Sequence, residues 1–142
     1  MPPTLQSPEL QAFATGFPIT LLHMGVTILI LVLGAAVYVL LTPHREVALI
    51  REGNAAAALS LAGALVGLAI PLGVSMNASA SVIEIAIWGV STVVVQLLVF
   101  RLVDLLLRGL PQRIRDGEVS AAALLVGGKL ATAIILASAV AG

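Results

Sequence analysis

From Ala55 to Met76 the sequence carries no charged side chain. A segment of that length and character has no place on a water-soluble surface, because about 20 apolar residues at 1.5 Å each cross roughly 30 Å of bilayer hydrocarbon. Three further stretches share its nature. Phe17 to Leu41 holds His23 as its titratable group, and Ser81 to Leu107 carries Glu84, Arg101 and Asp104 toward its ends. Val119 to Val140 is interrupted by Lys129 alone. The pattern predicts an all-α membrane protein with four transmembrane helices. Hydrophobic residues make up 60% of the chain and charged ones 10%. A soluble domain is about a quarter charged, so this chain could not clothe itself in a polar surface.

Seven basic and seven acidic residues cancel, so no strong field points to nucleic acid or to an acidic substrate. Without cysteine there is no disulfide and no thiolate metal site. His23 and His44 lie too far apart in the sequence to suggest a metal centre. No nucleophile–base pair and no paired carboxylates at one depth appear, so neither an enzyme nor a cofactor is expected. Residues 1–16 hold no Lys or Arg and lack the basic start of a secretory signal. They read as an N-terminal tail before a retained first span.

The loops fix an expected orientation. Arg45 and Arg51 fall between the first and second spans, and Arg108, Arg113 and Arg115 between the third and fourth. The N-terminal tail, the 75–81 turn and the C-terminus hold no Lys or Arg. By the positive-inside rule both basic loops face the cytoplasm and both termini the periplasm. Tyr38 and Trp88 sit near span ends, where aromatic belts form.

The two halves align without a gap at an offset of 64, giving a first two-helix repeat over 17–76 and a second over 81–141. Ile50-Arg51-Glu52-Gly53 matches Ile114-Arg115-Asp116-Gly117 at the same place in each loop. Two spans per repeat make the copies parallel rather than inverted. Gly53 and Gly117 suit the left-handed end of a short interfacial helix. Asn54 or Glu118 would then cap the next span. The two arginines would pair with Glu52, Asp116 or lipid phosphates. Gly63-x-x-x-Gly67 in span two and Ala123, Gly127 and Ala131 in span four form narrow ridges for close helix packing. Pro71 should kink span two.

Ionisable groups inside a span are costly and mark sites worth testing. Counting 1.5 Å per residue, Lys129 lies about 15 Å and Gln96 about 18 Å from the loop ends of their spans, Arg101 about 10 Å and Asp104 about 6 Å. Gln96, Arg101, Asp104 and Lys129 are therefore the candidate intramembrane polar site. Arg101 and Asp104 are expected to pair. Lys129 needs Gln96, a backbone carbonyl, a water-filled cavity or Asp104, the one acid near enough on this count. Arg45, Arg51, Arg108, Arg113 and Arg115 form a candidate cytoplasmic site for a protein partner or anionic lipid.

Several strings together resemble a known family: Thr42-Pro43-His44, Ala48-Leu49-Ile50-Arg51, Asn54-Ala55-Ala56-Ala57, Gly63-Ala64-Leu65-Val66-Gly67, Ile70-Pro71-Leu72, Trp88-Gly89 and Val95-Gln96-Leu97-Leu98-Val99-Phe100. They resemble the YjfL-like inner-membrane proteins of bacteria, domain of unknown function 350. The resemblance implies a bacterial inner-membrane location, four spans and a tandem two-helix repeat, and through neighbouring genes a link to envelope stress. It assigns no activity, ligand or site residue, and Lys129 departs from its pattern. Two readings then compete. One is a small homo-oligomeric structural unit that binds a partner through its basic loops. The other is a channel or small-solute permease lined by Lys129, Gln96 and Arg101.

Overall fold

In the computed structural model, residues 7–43, 45–78 and 81–142 are described, and every regular element among them is a helix. Four are long: α1 (Pro8–Leu41), α3 (Ala55–Ala78), α4 (Val82–Leu107) and α6 (Val119–Ala141). Two are short: α2 (Glu46–Arg51) and α5 (Leu110–Arg115). The four long helices are those long and apolar enough to cross a membrane. They lie in a bilayer as membrane-embedded helices. The expected spans match them closely, except that α1 starts earlier. Ser7 caps it by accepting from the Leu10 N–H at 3.4 Å, and Pro8 takes a first-turn position where no amide donor is needed. Residues 8–16 of the expected tail are thus helical. At 1.5 Å per residue the 34 residues of α1 reach about 51 Å, well beyond the hydrocarbon thickness.

α3 is the central helix, packed against α1, α4 and α6. α4 also touches α1 and α6. Hydrophobicity cannot drive this packing where lipid tails are as apolar as leucine, so close approach of small residues must. Gly63 of α3 lies under Val126 of α6, and a Cβ there would meet Val126 Cγ2 at 2.6 Å. Gly67 lies under the Gln96 amide of α4, with Nε2 only 2.7 Å from such a Cβ. The ridge expected on α6 is different from the one used. Ala123, Gly127 and Ala131 are exposed, and a Cβ on Gly127 would meet nothing. The face of α6 turned inward is Ala122, Leu125, Lys129, Ala133 and Ala137. Lys129 fixes that rotation, because a charge is costlier in lipid than alanine or glycine is. α3 continues as a helix through Pro71, which is buried.

The loop end is tied together. Each short helix closes on a left-handed glycine, Gly53 at φ 85° and Gly117 at φ 79°. The Asn54 N–H reaches Leu49 O at 2.9 Å and the Glu118 N–H reaches Arg113 O at 2.9 Å, the six-to-one bond of a Schellman end. Asn54 then caps α3, its Oδ1 accepting from the Ala57 N–H at 2.9 Å. Its Nδ2 donates across to Ile114 O and Arg115 O at 2.9 and 3.0 Å. Glu118 does not cap α6. Its carboxylate is taken by Arg113 Nε at 2.8 Å and by the Ser120 hydroxyl at 3.1 Å. Arg115 turns away from Asp116 and donates to Pro43 O at 3.0 Å. Arg51 makes no pair with Glu52. Leu110 and Ile114 of α5 close the core of Ala56, Ala57, Phe100, Ala122 and Leu125 at this end.

Gly63→Leu should separate α3 from α6 and lower stability by about 2–3 kcal/mol, as overpacking does. Gly127→Leu, facing open space, should leave it within about 0.5 kcal/mol. Thermal unfolding of the two variants in one detergent tests this. Equal midpoints would remove Gly63 from the helix contact.

Candidate intramembrane polar site

Lys129 stands ten residues into α6, about 15 Å from the helix start by rise alone. Side chains on a helix lean toward its N-terminus. α6 runs away from the loop end, so the Lys129 side chain leans back toward the loops. α1 runs the opposite way, so Tyr38 leans inward to meet it. The ammonium lies 4.3 Å from the centre of the Tyr38 ring, a cation–π contact, and Nζ donates to the Ser60 carbonyl at 3.2 Å. The Ser60 hydroxyl donates to Glu46 Oε1 at 2.9 Å. Glu46, the first residue of α2, is folded under the bundle with no solvent exposure. Lys129, Tyr38, Ser60 and Glu46 are all fully buried.

This geometry corrects the expected partners. The acid linked to Lys129, by way of Ser60, is Glu46 of the first loop, because α2 carries its N-terminus back into the bundle. Asp104 accepts from the Leu110 N–H at 2.8 Å and so caps the start of α5. Gln96 is buried beside Lys129 but donates to its backbone carbonyl at 3.2 Å, not to its ammonium. Arg101 is exposed on α4 and pairs with neither Asp104 nor Lys129. Of the four residues expected together, Gln96 and Lys129 meet and Arg101 and Asp104 do not join them. Tyr38, expected in an aromatic belt, is instead wholly inside. His23 is half-buried, its carbonyl accepting from Thr27 Oγ1 at 2.7 Å. His44 lies outside the described residues. No cluster of metal-ligating side chains occurs among the described residues.

Glu46, Tyr38 and Ser60 escaped the sequence reading, yet a signal was there. At the offset of 64, Tyr38 meets Leu102, Glu46 meets Leu110, Ser60 meets Leu124 and Lys129 meets Leu65. All four members of the cluster face leucine in the other half. Leu102, Leu124 and Leu65 are exposed where their counterparts are buried, and only Leu110 is buried like Glu46.

The cluster links α6, α3, α1 and α2 through Ser60 and the Tyr38 ring. Lys129→Met and Glu46→Gln should each cost about 2 kcal/mol, the worth of a buried hydrogen bond to a charged group. The double variant should cost at least about 1 kcal/mol less than their sum. Unfolding midpoints of the three variants give the coupling. Strict additivity would mean the two charges do not sense each other.

Comparison with known proteins agrees with the helical membrane architecture. The chain is 36% identical over 98 residues to the UPF0719 inner membrane protein YjfL of Escherichia coli K12, covering 69% of this chain and 73% of that protein. The YjfL protein of Escherichia coli O157:H7 matches to the same extent. No solved structure matches. The family described as Domain of Unknown Function (DUF350) matches residues 12–140. Four apolar helices, this extent of family match and the YjfL similarity together place the chain in the DUF350 family.

Proposed function

We propose that this protein is a non-enzymatic inner-membrane unit that assembles with copies of itself and presents a rigid basic platform, built from its two loops, to a cytoplasmic partner. The observation that carries this reading is the cross-loop lock. Asn54 joins α3 to α5, and Arg115 joins α5 to the α1–α2 turn. These bonds tie together the two loops that carry five arginines, of which Arg45, Arg51 and Arg108 are exposed without an internal ion pair among the described residues. A rigid array of unpaired guanidinium groups suits an acidic protein surface or anionic headgroups. The arginine bias of the loops supports a cytoplasmic platform and periplasmic termini. The inner-membrane location follows the YjfL relatives.

The reading includes a tandem repeat of one helical hairpin. α5 begins 64 residues after α2, and α6 begins 64 after α3. Each short helix ends on a glycine of the same left-handed conformation. A link to envelope stress fits a unit that signals by recruiting a soluble protein. The competing reading, a permease lined by Lys129, Gln96 and Arg101, is disfavoured by their placement. The first two are buried in contacts within one copy, and Arg101 lies on an outward face.

Arg45→Ala/Arg51→Ala should abolish a partner that co-purifies with the wild-type protein in mild detergent, leaving yield and unfolding midpoint unchanged within about 0.5 kcal/mol. Liposomes holding the wild-type protein should show no ion flux above that of Lys129→Leu. Flux that disappears in Lys129→Leu would replace the platform reading with the permease. Because the chain lacks cysteine, Glu52→Cys and Asn77→Cys should label from opposite sides of the membrane, Glu52→Cys from the cytoplasm.

A further inference from the structure

A groove runs between α1 and α4 on the outward face of the bundle, about 410 Å³ in volume. Its lining is apolar throughout, with Ile30, Gly34 and Val37 on one wall and Val90, Val94 and Leu97 on the other. α1 and α4 run in the same direction, each toward the loop end. Their close contacts fix the register: Gly89 faces Ile30 and Gly34 faces Val93, a constant step of 59. That step places Leu41, the last groove residue of α1, level with Phe100, and Arg101 immediately beyond. Arg101 therefore stands just past the loop-side end of the groove. From Ile30 to Leu41 it follows about 17 Å of helix, close to half of the roughly 30 Å hydrocarbon thickness.

Arg101 is the independent observation. It is exposed and makes no hydrogen bond or ion pair among the described residues. Its surroundings on α4 are the exposed Leu98, Leu102 and Leu105, so its guanidinium stands on a lipid-facing apolar surface. Its Cα–Cβ bond also leans toward the N-terminus of α4, away from the loop-side water. An unpaired charge so placed is costly. Asp104, the nearest acid along the helix, is occupied by the Leu110 N–H. Arg108, the residue that ends α4, is also exposed.

We infer that the α1–α4 groove is a binding site for one anionic phospholipid, with an acyl chain along the groove and the phosphate drawn to Arg101. A guanidinium holds a phosphate through paired N–H donors, which supplies the missing counter-charge. The groove fits one leaflet in length and one chain in character. This assignment rests on the exposed face of α4 and not on the loop platform, so it stands or falls separately from the proposed partner role.

The test uses the full chain in nanodiscs holding equal amounts of phosphatidylglycerol and phosphatidylcholine, with retained lipids counted by native mass spectrometry. The wild-type protein should retain one phosphatidylglycerol in preference to phosphatidylcholine. Arg101→Gln should lower that preference about fivefold, the worth of one basic residue at an anionic headgroup, and Arg101→Lys should restore part of it. Val94→Trp, which fills the groove from an exposed position, should reduce retention of both lipids. An unchanged unfolding midpoint for each variant keeps loss of binding distinct from loss of fold. The site is refuted if the wild-type protein shows no preference, or if Arg101→Gln and Val94→Trp both retain lipid as it does. Disulfide-linked dimers formed by Val94→Cys in the same nanodiscs would also overturn it, by assigning the groove to a second copy.

Discussion

An ammonium group buried inside an apolar bundle must be satisfied by the chain itself, and Lys129 imposes that demand on four elements at once. The Ser60 carbonyl of α3 and the Tyr38 ring of α1 converge on it, and the Ser60 hydroxyl carries the connection on to Glu46 of α2. Because the side chain leans toward the start of α6, the partners had to come from the loop side. α2 therefore does more than connect α1 to α3. It folds Glu46 beneath the bundle, where the carboxylate takes the Ser60 hydroxyl. The rotation of α6 follows too: with Lys129 turned inward, Ala122 and Ala133 face α3, and Gly127 is left facing out.

The same economy of small and polar residues governs the rest of the packing. Gly63 admits Val126 and Gly67 admits the Gln96 amide, so α3 meets α6 and α4 at distances no larger residue would allow. Gln96 uses that closeness to reach the Lys129 carbonyl. At the loop end the demand is for donors and acceptors, since helix ends leave free backbone groups. Asn54 meets it by capping its own helix with one atom and bridging to α5 with another. A glutamate at the matching position, Glu118, has no amide nitrogen to offer and turns to Arg113 instead.

Polarity is distributed unequally between the halves. The buried cluster of Tyr38, Glu46, Ser60 and Lys129 stands opposite four leucines at the sequence offset. The cluster draws on both halves, Tyr38, Glu46 and Ser60 from the first and Lys129 from the second, and the matching Leu65, Leu102 and Leu124 are exposed. Arginines are among the charged residues left at the surface. Arg45, Arg51 and Arg108 lie at the loop end, and Arg101 lies alone among leucines beside the α1–α4 groove.

The sequence alone determined the number of long helices, their loop-side ends and the left-handed glycines, because each rests on local physics. A charge-free run of sufficient length must be a helix across the bilayer, and Gly53 and Gly117 follow six-residue segments that end in the same way. It also marked Lys129 and Gln96 as polar groups needing partners. Which partners they found was decided by tertiary structure. Counting residues along each span placed Asp104 nearest in depth, but a depth count assumes that loop residues stay in the loop. Glu46 does not, because α2 returns it to the bundle interior. Likewise Arg101 and Asp104 share a helix face, yet α5 places a free N–H within reach of Asp104 and leaves Arg101 facing outward. Helix rotation and the return of a short loop helix are long-range packing outcomes, and no local pattern encodes them.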